Sequence, residues 1–287
     1  MSMTLDTSAM HNSWIRLGPT MTIAVAIIAV LAFISLFAPW LTPYDPDLAD
    51  VTQKLLPPSG GHWLGTDHLG RDVMTRLLHG TRVSLGTVGL CLALILVMGI
   101  GIGGLSGYVG GRVDQVIMRC CDVFLTFPTT VLALFMVGML GTGLVNVILA
   151  IALSHWAWYA RIVRGLVLSL RERDYVLAAR ACGASRLRIF FEHLLPTIFA
   201  QLVVLATLDI GHMMLHVSAL SFLGLGVAPP TAEWGVMIKD AQSYIWNAPQ
   251  LVVFPGIAIL ISVMAFNLLG DGLRDRLDPS LHAEHGH

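Results

Sequence analysis

Charge is what this chain has least of. Of its 287 residues only 12% are Asp, Glu, Lys or Arg, about half of the roughly 25% that soluble globular chains carry. A fold bathed in water on every side is excluded. With 55% hydrophobic residues and a mean hydropathy of +0.75, the missing solvent is lipid. Cysteine is also scarce. Cys91, Cys120, Cys121 and Cys182 have no zinc-finger spacing, and the adjacent pair is a poor disulfide, so they read as small apolar fillers. The formal net charge of -1 offers no basic field, which argues against a nucleic-acid partner. No P-loop, no Gly-x-Ser-x-Gly and no His-Glu-x-x-His is present, so those devices for nucleotide, ester and zinc-assisted peptide hydrolysis are missing and no catalytic residue is assigned. Gly99, Gly101 and Gly104 formally spell Gly-x-Gly-x-x-Gly, but no strand precedes them and they lie in an apolar run. The recurrence of Gly99, Gly103, Gly107 and Gly111 every four residues predicts close helix packing in lipid instead.

What is present is a series of charge-free stretches, read against the roughly 20 residues an apolar helix needs to cross a membrane. Residues 17–44 hold a first span and 83–111 a second. Residues 123–160 are uncharged, too long for one helix, and punctuated by Gly141-Thr142-Gly143 and Asn146, which makes them two spans. Pro128 predicts a kink in the first of these. Residues 194–232, interrupted only by Asp209, give a fifth, and 245–270 a sixth. The expected class is all-α, a polytopic membrane protein with six transmembrane helices. The first run exceeds the roughly 7–15 residues of a signal-peptide core. One Arg precedes it and Pro39 follows the only plausible small-residue site, so a retained span is expected.

Orientation follows from Lys and Arg. With the N-terminus inside, Arg16, Arg112, Arg119, seven arginines of 161–188, Arg274 and Arg276 lie inside. Lys54, Arg71, Arg76, Arg82 and Lys239 lie outside. Both termini are therefore expected in the cytoplasm. The organisation is a cytoplasmic N-terminus (1–16), a first transmembrane helix (17–41), an external loop (42–82), a core of helices two to six (83–273) and a cytoplasmic tail (274–287). In the external loop, residues 71–78 read as a short surface helix, and the loop is large enough either to meet an external protein or to fold over the bundle as a lid. Asp114, Arg119 and Asp122 are placed to form ion pairs at the inner end of the third span. Trp234, Tyr244 and Trp246 read as an interfacial aromatic belt. Glu233 and Asp240 read either as part of that packing or as groups facing a partner or a cation.

One charged island breaks the apolar chain, RERDYVLAARACGASRLRIFFEH at 171–193, closed by Leu194-Leu195-Pro196. Its small pair Ala178-Ala179 leaves a low surface, Gly183 permits a sharp break between two short helices, and Pro196 begins a helix without needing an amide donor. A basic loop is also what cytoplasmic retention alone would produce. The spacing from Tyr175 through Ala178, Ala179 and Gly183 to His193 and Pro196 resembles the EAA loop of ABC importer permeases. HWLGTDHLGRDV at 62–73 and LSFLGLGVAPPTAEWG at 220–235 resemble hallmark segments of the dipeptide/oligopeptide/nickel permease family, in its C-type subunit. The resemblance covers residues 15–278. It implies a type I ABC importer permease (MetI-like) fold in the bacterial inner membrane, forming half of a heterodimeric pore with a second permease subunit. It also implies two cytoplasmic ATP-binding subunits, a periplasmic binding protein, and no tightly bound cofactor. The ATPases would then meet the loop at Asp174, Tyr175, Ala178, Ala179, Arg180, Gly183, Arg186, Arg188, His193 and Pro196. Leu177 stands where the family pattern has its Glu.

The cargo has to be read from polar groups inside the spans. LDIGHMMLH places Asp209, His212 and His216 on one helical stripe through offsets of three and four. An ionised Asp near a helix centre costs about 2.5–3.5 kcal/mol on insertion scales, so it faces the bundle interior or a polar pathway. Carboxylate and imidazole suit a divalent first-row metal, with Ni²⁺ high in the affinity order. The stripe reads either as transient metal contacts or as an Asp–His pair bridging helices. His155, in the fourth span, reads as a pathway group or an interhelical hydrogen-bond partner. His282, His285 and His287 in the tail read as transient ligands or as a polar end. DIGHMMLH, SHWAWYAR and the terminal EHGH resemble the nickel branch of the family rather than its peptide branch. That resemblance implies Ni²⁺, bare or chelated, as transported substrate and a nickel-binding periplasmic partner, with a di- or oligopeptide as the alternative cargo. An ion-coupled secondary transporter would need Asp209 as a relay and an internal repeat, and no repeat is evident.

Overall fold

The computed structural model describes residues 18–277, all of whose regular elements are helical. Helix α1, Pro19–Leu41, begins with a proline in its first turn, where the missing N–H costs nothing. The chain then makes an irregular loop with a single 3₁₀ turn, Val51–Gln53. Asp72 caps α2, Val73–Val109, by accepting the Thr75 amide at 2.7 Å. The surface helix read at 71–78 is thus the opening of α2, which runs on without a break into the second span. Helices α3, Gly111–Thr126, and α4, Thr129–Leu140, follow, then α5, Leu144–Leu170, and the short α6, Asp174–Ala181. Helix α7, Arg186–Phe222, α8, Trp234–Ala241, and α9, Gln250–Leu277, complete the chain.

Five of these helices (α1, α2, α5, α7 and α9) are individually long and apolar enough to cross a membrane, and α3 with α4 make a sixth candidate as a broken pair. The kink read at Pro128 is a full break, bent by 92°. Phe127, φ -95° and ψ 141°, is extended because the proline ring excludes the helical conformation at the residue before it. Helix α7 also starts earlier than the 194–232 stretch implies. Pro196 lies inside it, and a π-helical stretch, Ile189–Leu194, precedes the proline, with the Leu195 amide reaching back five residues to Phe190. Such a stretch shifts the hydrogen-bond register where a proline cannot donate.

Helices α2 and α5 make the most extensive contact in the molecule, and glycine is the reason. A Cβ on Gly99 would stand 2.6 Å from the Tyr159 Cβ, and one on Gly107 would stand 2.9 Å from the Arg164 carbonyl oxygen. Gly103 lies against the Ala160 backbone. Gly111, the fourth member of the repeat, has left the interface and opens α3 with nothing near it. In lipid no apolar transfer energy separates packed from unpacked helices, so this close approach is itself the source of stability.

Near the start of α2, Arg76 is fully buried and joins three segments. Its guanidinium donates to the carbonyls of Pro46 at 2.7 Å and Pro230 at 3.1 Å and lies 3.6 Å from Asp67. Arg71 pairs with Asp67 at 2.7 Å and approaches Asp240 at 3.4 Å. The belt reading fails for Trp234, which is completely buried, donates its indole N–H to the Leu77 carbonyl at 3.1 Å and packs on Gly80. Glu233 is buried too: one carboxylate oxygen caps α8 at the Val236 amide and the other takes the Ser84 hydroxyl. Trp246 remains exposed.

Candidate functional site

Two arrangements carry the candidate residues, and α5 joins them. At its C-terminal end lies the 171–196 loop. Asp174 opens α6 at the end where a carboxylate favours the helix dipole, and Arg180 occupies the last turn. Gly183, φ 85°, ends α6, while the amides of Cys182 and Ala184 return to the carbonyls of Ala178 at 2.9 Å and Ala179 at 3.1 Å. Ser185 restarts the chain as a cap for α7, accepting the Arg188 amide. Val176, Ile189 and Leu194 are buried and pin the loop to the bundle. Leu177, Leu187 and Phe191 face outward at 45%, 72% and 59% exposure. Asp174, Arg180 and Arg186 are exposed beside them, Arg188 pairs with Glu192 at 2.8 Å, and Tyr175 meets His193 edge-on. The loop is anchored through its buried residues and exposes apolar and charged side chains together. Leu177 adds an exposed apolar side chain where the family pattern would put a carboxylate.

Above this loop α5 is tied to its neighbours by polar contacts. Arg171 donates to the Gly107 carbonyl at 3.2 Å. Arg164 grips Asp114 through two nitrogens, at 2.5 and 2.6 Å, and Asp114 also takes the Ser106 hydroxyl. Asp122 pairs with Arg161 and stands 3.8 Å from Arg119. The three residues expected to fix the inner end of the third span therefore do form ion pairs, and two of them hold α3 to α5.

The second arrangement lies further along α5 and α7. Asp209 is buried on α7, and one of its oxygens, Oδ2, accepts the Tyr159 hydroxyl at 3.1 Å. His155 Nε2 stands 3.2 Å from the same oxygen, out of line for a hydrogen bond and without another partner. The second oxygen, Oδ1, is 3.8 Å from Nδ1 of His212, whose side chain is 73% exposed. His216, one turn further, is half-buried. The structure thus brings together His155, Asp209 and His212, in pairs rather than as a cage. Among the described residues no three His, Cys, Asp or Glu groups are placed to hold a metal ion jointly. Tyr159 is not among the residues singled out from the sequence; its spacing of four from His155, on a helix already carrying a polar group, is the signal that finds it. His282, His285 and His287 lie outside the described residues. In the loop before α2, burial holds the His68 imidazole below the usual histidine range, stacked on Tyr244.

The chain belongs to the binding-protein-dependent transport system inner membrane component family, whose pattern it matches over residues 99–283, and residues 19–58 match the N-terminal transmembrane domain of oligopeptide transport permease C. It is a multi-pass inner-membrane permease subunit with a MetI-like fold, not an enzyme, and it works with a binding protein. It is 62% identical to the nickel transport system permease protein NikC of Escherichia coli K12, over 92% of this chain and 96% of that one. It is 47% identical to the di/tripeptide permease DppC of Pseudomonas aeruginosa, over 88% and 85% respectively. Among solved structures, the inward-facing MetNI methionine ABC transporter matches with a TM-score of 0.58 at 20% identity, over 71% of this chain and 98% of that one. That likeness concerns the fold alone.

Proposed function

We propose that this chain is the C-type permease subunit of an ABC importer for Ni²⁺, with both termini in the cytoplasm. It forms a pore with a second permease subunit, receives nickel from a periplasmic binding protein, and is driven by two ATP-binding subunits at the 171–196 loop. Residues 83–273 form the transporting core and 42–82 lie in the periplasm. The observation that carries the cargo is the 62% identity to a nickel permease, against 47% to a peptide permease. The Asp209–His155 and Asp209–His212 contacts support it chemically, since carboxylate and imidazole suit a first-row divalent ion. Paired donors also suit transport, because a site must release what it binds. His216 and the tail histidines His282, His285 and His287 belong to the same path as weaker contacts.

ATP-driven closure of the ATPases pushes on α6 and the start of α7. The stiff α2–α5 pair carries that displacement to Asp209, and the half-bundles exchange inward-open for outward-open arrangements. The test is radioactive nickel uptake under nickel limitation by cells expressing Asp209→Asn, His212→Ala and His216→Ala proteins at equal membrane abundance. Reduced uptake in Asp209→Asn and His212→Ala is expected. Wild-type uptake in all three would sink the metal path.

A further inference from the structure

We propose that Tyr159 is a positioning residue for the transported cation. Its hydroxyl holds one oxygen of Asp209 so that the other, opposite His212, is presented to the cargo. This rests on the nickel reading above and adds a division of labour between the two carboxylate oxygens. Oδ2 is engaged from α5 by the Tyr159 hydroxyl at 3.1 Å, while the His155 ring nitrogen stands 3.2 Å away without hydrogen-bonding to it. Oδ1 has neither of these neighbours and lies 3.8 Å from the exposed His212. An ion bound about 2.1 Å from each of two donors, as zinc is, keeps them no more than about 4.2 Å apart. Tetrahedral donors at that bond length lie about 3.4 Å apart, so the gap of 3.8 Å accepts an ion between Oδ1 and Nδ1 once it closes by about half an ångström.

Tyr159 is suited to hold rather than to bind. Its ring is completely buried, and its Cβ sits on Gly99 within the close contact of α2 and α5. The hydroxyl is thereby fixed to the helix pair with the most extensive contact among the described residues, while Asp209 belongs to α7. A carboxylate free to rotate would present either oxygen to the cargo. With Tyr159 on Oδ2 only one face is offered, and no further ligand is added that would slow release. Outer groups of this kind orient metal-binding side chains and change affinity by about 10–100-fold when removed.

The experiment uses the whole transporter in proteoliposomes, with nickel-loaded binding protein, and reads nickel delivered per ATP hydrolysed. Tyr159→Phe keeps the ring on Gly99 and removes only the hydroxyl. The expected result is a fall of about tenfold in nickel per ATP, the low end of the outer-group range, with complex assembly and stimulated ATP hydrolysis unchanged. Asp209→Asn should fall at least as far, and the double variant should be no worse than Asp209→Asn alone, because both changes remove one interaction. A Tyr159→Phe ratio like that of the wild type would overturn the proposal. So would a parallel loss of assembly or ATP hydrolysis with the ratio unchanged, which is the mark of a purely structural role. Multiplying defects in the double variant would overturn it as well. Wild-type ratios for both Asp209→Asn and His212→Ala are a separate outcome, which removes the nickel path itself.

Discussion

The α2–α5 interface gives the sharpest quantitative test of how this fold is held. Gly103→Ala adds a single methyl group, yet its carbon would stand 2.9 Å from the Ala160 Cα and closer still to the Ala160 carbonyl oxygen. Carbon atoms pack best at about 3.5–4.0 Å, so the helices must part locally by about 0.6–1 Å. A gap of that size forfeits a quarter to a half of the dispersion energy of each contact it opens, and Gly99 and Gly107 sit one turn to either side. Overpacking of this kind costs about 1–3 kcal/mol. Gly101→Ala is the matched control. It lies on the same helix, nothing is within 4 Å of its added methyl, and it gains the roughly 1 kcal/mol by which Ala exceeds Gly in a helix. Thermal inactivation of the purified permease reads both. Each kcal/mol moves the midpoint by about 2–4 °C in chains of 150–250 residues, and the propensity gain is common to both variants, so Gly103→Ala should melt several degrees below Gly101→Ala, which should melt no lower than wild type. Equal midpoints for the two variants would refute the argument that glycine spacing sets this contact.

Two further outcomes follow from the loop regions. Gly183→Val, at φ 85°, forces a β-branched residue into the left-handed region at a cost of about 1–3 kcal/mol; co-purification of the ATP-binding subunits should drop while membrane abundance is kept, and undiminished co-purification would count against the loop's role. His68, whose burial favours the neutral ring, binds its proton less readily in the folded loop than in the unfolded chain, so the loop's stability is complete above the unfolded value of 6.5 and is lost as pH falls below it. Proteolysis of the external loop should accelerate between pH 7 and 5, and His68→Gln should flatten that dependence.

The apolar runs, the glycine repeat and the Gly183 break were legible in the sequence because each is a local rule: lipid needs length, close packing needs missing side chains, and a left-handed turn needs glycine. The 92° break at Pro128 was legible in position but not in size, since a proline interrupts a helix and only its neighbours decide by how much. Trp234 and Glu233 misled for a related reason. Both residue types are common at a membrane interface, and here Gly80 and Ser84 of α2, some 150 positions earlier, make room for one and bond the other. Tyr159 was hidden by the same distance: its partner Asp209 is 50 residues away, on another helix.

Arg76 has a consequence for how the chain is made. Its guanidinium finds the Pro46 carbonyl among residues synthesised just before it, but its second acceptor, Pro230, comes 154 residues later. At about 5–20 residues per second, the ribosome needs on the order of ten to thirty seconds to deliver that segment. During that interval the arginine has only acceptors that precede it, among them Pro46 and Asp67. The junction at Arg76 is therefore complete only after the segment that follows α7 has been synthesised, which ties this one side chain to a late step in the making of the chain.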